Sequence, residues 1–287
     1  GKNMSIVYNL DVRCHEMLKY LLYQDGYTSI TQLAEEMNIS KRSVYYDIRK
    51  INEWMEAQHL SELVVERKKG IRIDDEQKAM IRAGLKMIPS ELAYVFTPTE
   101  RVKIIICSIL QRNRNLFLDD FMDFCQVSRN TTISDVKEAG RIISEYQLQL
   151  IYENGKGYHI KGDLVRKRSI YFSYFSSIAD FYKKGILPLD APEKVQEFLD
   201  RLKDIENALD VQYVQGTLYT IAVFFSTIDN RTDVVEFSKK EKMEIMDTKE
   251  YEMVSRRFSD LKESEQLYLT LHLLGSRMQS IPVDFME

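Results

Sequence analysis

Signatures of catalysis, secretion and membrane insertion are what this chain of 287 residues lacks. Cysteine occurs three times, at Cys14, Cys107 and Cys125, an odd and scattered set with no CxxC pair and no histidine at metal-ligand spacing. That excludes a disulfide framework and a zinc site as organising devices, and places the thiols in the core. No apolar run approaches the roughly 20 residues needed to cross a bilayer. The greasiest stretch, Ile104 to Leu110, is far shorter, and the N-terminus carries no signal-peptide pattern, so a cytoplasmic protein is expected. P-loop, Rossmann glycines, GxSxG and HExxH are all missing, which leaves no enzyme class indicated and no metal or cofactor expected. Net positive charge is missing too: the formal charge is −4. An evenly charged chain of that sign would be a poor ligand for nucleic acid, so the question becomes whether basic residues cluster on one face.

They cluster between Ser40 and Gly70, SKRSVYYDIRKINEWMEAQHLSELVVERKKG. Upstream of it, apolar residues at helical spacing (Leu10, Met17, Leu18, Leu21, Leu22) predict a first helix stopped by Asp25-Gly26. Thr28 or Ser29 caps a second helix, Ile30 to Met37, and Asn38-Ile39 makes a tight turn. Ser40 then caps a third helix that buries Val44, Ile48, Ile51 and Trp54 and leaves Lys41, Arg42, Ser43, Tyr45, Tyr46, Arg49 and Lys50 on its remaining surface. Leu63 to Glu66 and Ile71 to Ile73 read as strands around the basic turn Arg67-Lys68-Lys69-Gly70. Helix, helix, turn, helix, hairpin is the order of a winged helix-turn-helix. Arg and Lys on the third helix reach phosphates or guanine edges, and Ser43 and Tyr45 fix register on the backbone. Lys68, Lys69 and Arg72 place positive charge on the wing. The bland alternative for each of these residues is a solvated helix face or a soluble turn.

The pattern recurs, and the search for repeats shapes the domain reading most. Thr99 caps a helix to Gln111, Leu118 to Cys125 is a short second helix, and Val127-Ser128 repeats the turn and cap of Ile39-Ser40. Asp135 sits in the second copy where Asp47 sits in the first. The helix Arg129 to Tyr146 offers Arg129, Asn130, Thr131, Thr132, Ser134 and Lys137, a more weakly basic set that also suits a packing-only copy. Leu148 to Tyr152 and Tyr158 to Ile160, around Asn154 to Gly157, repeat the wing. Beyond Gly162 the pattern changes to helical segments over Arg166 to Lys184, Glu193 to Ala208, Gln212 to Ile228, Lys249 to Leu261 and Ser264 to Met278, the last apolar almost all round. The expected fold is mainly α: a first winged helix-turn-helix over residues 1–75, a linker helix over 76–98, a second winged helix-turn-helix over 99–162, and a five-helix regulatory bundle over 163–287. A polar loop around Asn230 to Asp233 interrupts the bundle.

Two winged helices followed by a five-helix unit ending in Tyr268-Leu-Thr-Leu-His272-Leu-Leu-Gly-Ser-Arg277 resemble the regulators of sugar-phosphotransferase operons, of the mannitol-activator and lichenan-activator type. SKRSVYYDIRKIN is similar to their first DNA-binding module, the second copy to their Mga-like helix-turn-helix, and the final helices to a phosphotransferase regulation domain (PRD). The resemblance implies a homodimeric transcription factor, an activator by this likeness, with operator DNA and phosphotransferase carrier proteins as partners and histidine phosphorylation as the control. His272 falls on the second of the two PRD histidines. The family's other histidine has no counterpart, because the corresponding helix reads Ile221-Ala-Val-Phe224-Phe225-Ser226. Full members continue into further domains, so this chain is expected to be an N-terminal portion. With two modules per protomer, a roughly palindromic operator with half-sites about 10 bp or a multiple apart is expected. The rival classes are an RNA-binding PRD antiterminator, whose N-terminal module is small and β-rich, a regulator whose PRD serves only in dimerisation, and an enzyme with an appended winged helix. His15, His59 and His159 carry no expected role.

Overall fold

The computed structural model describes residues 10–86, 95–111, 114–214, 216–227 and 234–276. The expected segment after Pro89 and the polar loop from Asn230 to Asp233 lie outside them, as does Arg277. Among the described residues the chain forms thirteen helices and two two-stranded antiparallel sheets, a mainly α protein. By its contacts it divides into two compact units: residues 1–105, 116–138 and 180–188, and residues 106–115, 139–179 and 189–287.

The first unit begins with α1 (Val12–Leu22), whose first turn is capped by Asp11 accepting from the Cys14 amide at 2.9 Å. Ser29 and Ser40 cap α2 (Ile30–Met37) and α3 (Lys41–Ala57) in the same way, each side chain accepting from the amide three residues on. Such caps satisfy amides that the helix cannot pair itself. Between α2 and α3 the chain turns at Asn38, which takes left-handed backbone angles (φ 53) that asparagine tolerates better than most residues. The three helices close on one core containing Met17, Leu18, Leu33, Val44, Ile51, Trp54 and Met55, all at most 1% exposed.

The hairpin pairs β1 (Val65–Glu66) with β2 (Gly70–Ile71), and Thr28 adds a further bridge to Ile71 with two backbone bonds of 2.8 Å. Gly70 makes this possible. It sits at φ +100, and a Cβ there would lie 2.0 Å from the Thr28 carbonyl oxygen. The wing is thereby stitched to the loop that enters the helix-turn-helix. Helix α4 (Asp75–Lys86) follows, inserting Ile81 into the same core.

The second copy of the pattern consists of α5 (Pro98–Leu110), α6 (Leu118–Cys125) and α7 (Arg129–Glu145), then β3 (Gln149–Glu153) paired with β4 (Gly157–Lys161). Its turn repeats the first: Gln126 is left-handed (φ 56), and Ser128 accepts from the Thr131 amide at 3.2 Å. This second hairpin pairs over five residues per strand, longer than the first.

In the second unit the remaining helices are α8 (Leu164–Lys183), α9 (Pro192–Leu209), α10 (Thr217–Thr227), α11 (Lys239–Met246), α12 (Lys249–Arg257) and α13 (Glu263–Ser276). Helix α11 is additional to the five expected. Its mean polarity hides it from a hydropathy reading, and a capping box at Ser238 and Glu241 is its signature. Aromatic packing dominates the interior: Tyr171 stacks on Phe175 and meets Phe224, each at 5.2 Å between ring centroids. Phe198 lies 4.4 Å from Phe258. Helix α13 buries Leu267, Leu269 and Leu273 completely while Leu271 and Leu274 remain exposed.

Candidate nucleic-acid interface

Helix α3 carries two kinds of polar surface, separated by its helical period. Lys41, Arg42, Tyr45 and Arg49 are exposed and share one side. Lys68, Lys69 and Arg72 at the first hairpin are exposed as well, and Lys69 holds its ammonium 5.4 Å from the Tyr27 ring centre. A cationic helix face and a cationic wing built on one packed core present positive charge at fixed positions. That is the arrangement needed to neutralise phosphates along a duplex.

The other polar stripe, Ser43, Tyr46, Asp47 and Lys50, faces protein. Ser43 is 3% exposed and accepts a hydrogen bond from the Ser40 hydroxyl at 3.1 Å. Lys50 donates to Asp11 at 2.6 Å; burial pushes the Asp11 carboxyl up, but the Lys50 charge and the hydrogen bonds from Lys50 and Cys14 outweigh it and hold the carboxyl below its usual range. The Tyr46 ring lies under both Arg49 and Lys50, at 5.4 and 5.3 Å, and burial pushes its phenol up to about 12. These three residues were expected on the DNA side. Their placement weighs against that expectation: Ser43 and Lys50 already serve neighbours, and Tyr46 is half-buried beneath two cations. The same applies to Thr132: it is 1% exposed, and its hydroxyl bonds back to the Ser128 carbonyl at 2.9 Å. Of the second set, Arg129, Asn130, Ser134 and Lys137 are exposed and Thr131 is half-buried. The second hairpin differs from the first in charge, since Glu153 stands 3.8 Å from Lys156 at its tip.

Sequence reasoning missed the arginine that organises this region. Arg13 on α1 reaches Asp47 through two nitrogens, at 2.6 and 2.8 Å, and Asp123 on α6 through one of them at 2.7 Å. Burial works against all three charges, pushing both carboxyls up while the two anions hold the guanidinium protonated. In the second copy Arg101 pairs with Asp135 through two nitrogens, at 2.7 and 3.3 Å, and its third nitrogen donates to the Phe96 carbonyl. Both arginines precede their aspartates by 34 residues. Extending the Asp47 and Asp135 correspondence to the preceding helix would have found them.

Helix α3 packs on α6, and Arg42 donates to Asp120 at 2.7 Å. A cleft of about 600 Å³ lies alongside, lined by Arg13, Asn38, Ser40, Asp119, Gln126 and Arg129 among others, so the two helix-turn-helix turns share it. Helix α6 has eight residues, a span of about 12 Å, and leads directly into α7. Successive major grooves on one face of DNA are about 34 Å apart. Ser40 and Arg129, at the starts of α3 and α7, line the same cleft.

His272, on α13, is half-buried, its ring stacked on Phe172 at 3.9 Å between centroids and edge-on to Tyr268 at 4.6 Å. Burial, and then the positive charge of Arg168, lowers its pKa to about 4. Arg168 is itself buried in a two-bond pair with Glu265, at 2.6 and 2.9 Å. The imidazole is therefore neutral near pH 7. Cys14, Cys107 and Cys125 are all buried, with burial pushing the Cys125 thiol up to about 12. No group of three or more metal-ligating side chains occurs among the described residues, and no described helix is long and apolar enough to cross a membrane.

Residues 13–72 match the family model of a helix-turn-helix (HTH) domain, so the N-terminal part of the chain is one. The chain is 23% identical over 283 residues to the probable licABCH operon regulator of Bacillus subtilis (strain 168), covering 92% of its own length and 44% of that relative's. A solved Corynebacterium diphtheriae protein is 18% identical over 52% of this chain and 26% of its own, with a TM-score of 0.19, too low to bear on the fold.

Proposed function

We propose that this chain is the DNA-binding and regulatory part of a cytoplasmic transcriptional regulator, an activator of a carbohydrate phosphotransferase operon, acting as a homodimer on double-stranded operator DNA. The observation that carries the reading is the exposed Lys41, Tyr45 and Arg49 of α3 together with the exposed basic residues of the first wing, within the matched helix-turn-helix domain. The likeness to the probable licABCH operon regulator of Bacillus subtilis supports the sugar-operon assignment. A helical rather than β-rich N-terminal module favours DNA over RNA as the ligand. The test is footprinting on DNA upstream of the neighbouring operon. A discrete protected segment supports the reading, and uniform, sequence-independent binding overturns it.

Control by phosphotransferase carrier proteins acting on His272 is the finer part of the proposal. A neutral imidazole is the nucleophilic form, and His272 is held in that form at neutral pH. Its stacking on Phe172 favours a second reading, in which the helical domain acts in dimerisation alone and His272 is a packing residue. Mass mapping after incubation with the carrier proteins separates them: a phosphoryl group on His272 supports control, and an unlabelled His272 supports packing.

A further inference from the structure

We propose that Arg42 is a positioning residue: it clamps α6 onto the recognition helix through Asp120, and makes no phosphate or base contact itself. The inference goes beyond the DNA-binding reading and rests on it for one of its two readouts.

Position alone makes Arg42 look like a reader. It lies in the first turn of α3, with a side chain 52% exposed. Its partner points the other way. Asp120 is 3% exposed, and each of its oxygens has work: Oδ1 accepts from Arg42 at 2.7 Å, and Oδ2 accepts from the Phe117 amide at 2.7 Å, capping α6. Moving Arg42 to a phosphate would exchange one charge-assisted bond for another, but would leave a carboxylate shut off from water without its cation, a strongly unfavourable loss. A phosphate reached in solvent gives back a screened contact. Exchange is therefore unfavourable, and the guanidinium stays with α6.

A second contact fixes the same two elements independently. Arg13 joins Asp47 of α3 to Asp123 of α6, one turn along from Asp120. Asp120 and Asp123 thus face the first and second turns of α3 with one carboxylate each. The comparison within the chain is instructive: Arg101 pairs with Asp135 as Arg13 pairs with Asp47, but its remaining bond goes to the Phe96 carbonyl beside it. Among the described residues, the first arginine alone of the two extends to a carboxylate of the other copy. Two of the three aspartates of Leu118-Asp-Asp-Phe-Met-Asp123 on α6 are accounted for by this clamp, and the exposed cations Lys41 and Arg49 are left as the readers of α3.

The test is a double-mutant cycle on the full chain, with Arg42→Ala, Asp120→Asn and the pair together, read by thermal unfolding and by the salt dependence of binding to the operator fragment. The expected result is that each single variant lowers Tm by a few degrees and that the double variant falls no further than the worse single. The slope of log K against log salt stays at the wild-type value in Arg42→Ala, whereas Arg49→Ala reduces it by roughly 0.9, one phosphate contact. Arg42→Ala with unchanged Tm and a slope reduced by that amount would make Arg42 a phosphate contact and overturn the proposal. Additive Tm losses would overturn it also. Should the wild type fail to bind any upstream fragment, the DNA-binding reading falls while the Tm cycle still decides the clamp.

Discussion

Arg101 donates to the Asp135 carboxylate at 2.7 Å across 34 residues of chain, and Arg13 stands in the same relation to Asp47. The repeat that hydropathy suggests is thus also a repeat of one buried ion pair, tying the first helix of each copy to its third. Removing one partner of such a pair leaves the other charge desolvated, typically at a cost of about 3–5 kcal/mol. Arg13→Ala is expected at the upper end, because it exposes two carboxylates to that loss, and Arg101→Ala at the lower. Urea unfolding of the two variants checks the order; equal effects would show that Asp123 contributes nothing through Arg13.

Gly70 offers a separate check on the wing. With φ at +100 and the Thr28 carbonyl 2.0 Å from where a Cβ would stand, alanine must open the bridge between Thr28 and Ile71. Gly70→Ala should cost about 2–4 kcal/mol, from backbone strain and overpacking together. It should also weaken DNA binding by displacing Lys68 and Lys69. A Gly26→Ala control, where nothing lies within 4 Å of the added methyl, should leave both properties near wild type. Thermal unfolding and a fragment-binding titration measure the two effects.

His272 predicts a pH dependence of definite sign. Its folded pKa of about 4 lies below the ordinary histidine value of 6.5, burial being the main cause. Above pH 6.5 both folded and unfolded forms carry a neutral imidazole, and the full stability is present. As the pH falls from 6.5 toward 4 the unfolded chain takes up the proton first, so stability is lost over that window, by up to about 3 kcal/mol. His272→Gln should flatten this part of the profile, seen by following unfolding free energy against pH. An unaltered profile would mean that the ring is open to water in solution.

The fold was legible where period and capping agree. Ser29, Ser40 and Ser128 mark helix starts that the structure confirms, and the bounds of α6 coincide with those read from sequence. The site was legible only in part, for a physical reason. A basic residue on a helix looks the same in sequence whether it faces water or a carboxylate from a distant segment, so Lys41 and Arg49 could not be told from Lys50, which Asp11 holds, or from Arg42, which Asp120 holds. Likewise Thr132 reads as an open donor until its bond to the Ser128 carbonyl is seen. Partners separated by 78 or 110 residues, as Asp120 and Asp123 are from Arg42 and Arg13, leave no local pattern.

The most direct test of the account is a salt titration of binding to the operator fragment, comparing wild type with a variant carrying Lys41→Ala, Arg49→Ala, Lys68→Ala and Lys69→Ala. The account predicts specific binding by the wild type, with a steep slope of log K against log salt that the variant reduces by roughly 3–4 units while its Tm is unchanged. Specific binding by the variant with the wild-type affinity and slope would contradict it, placing the DNA contact somewhere other than α3 and the first wing.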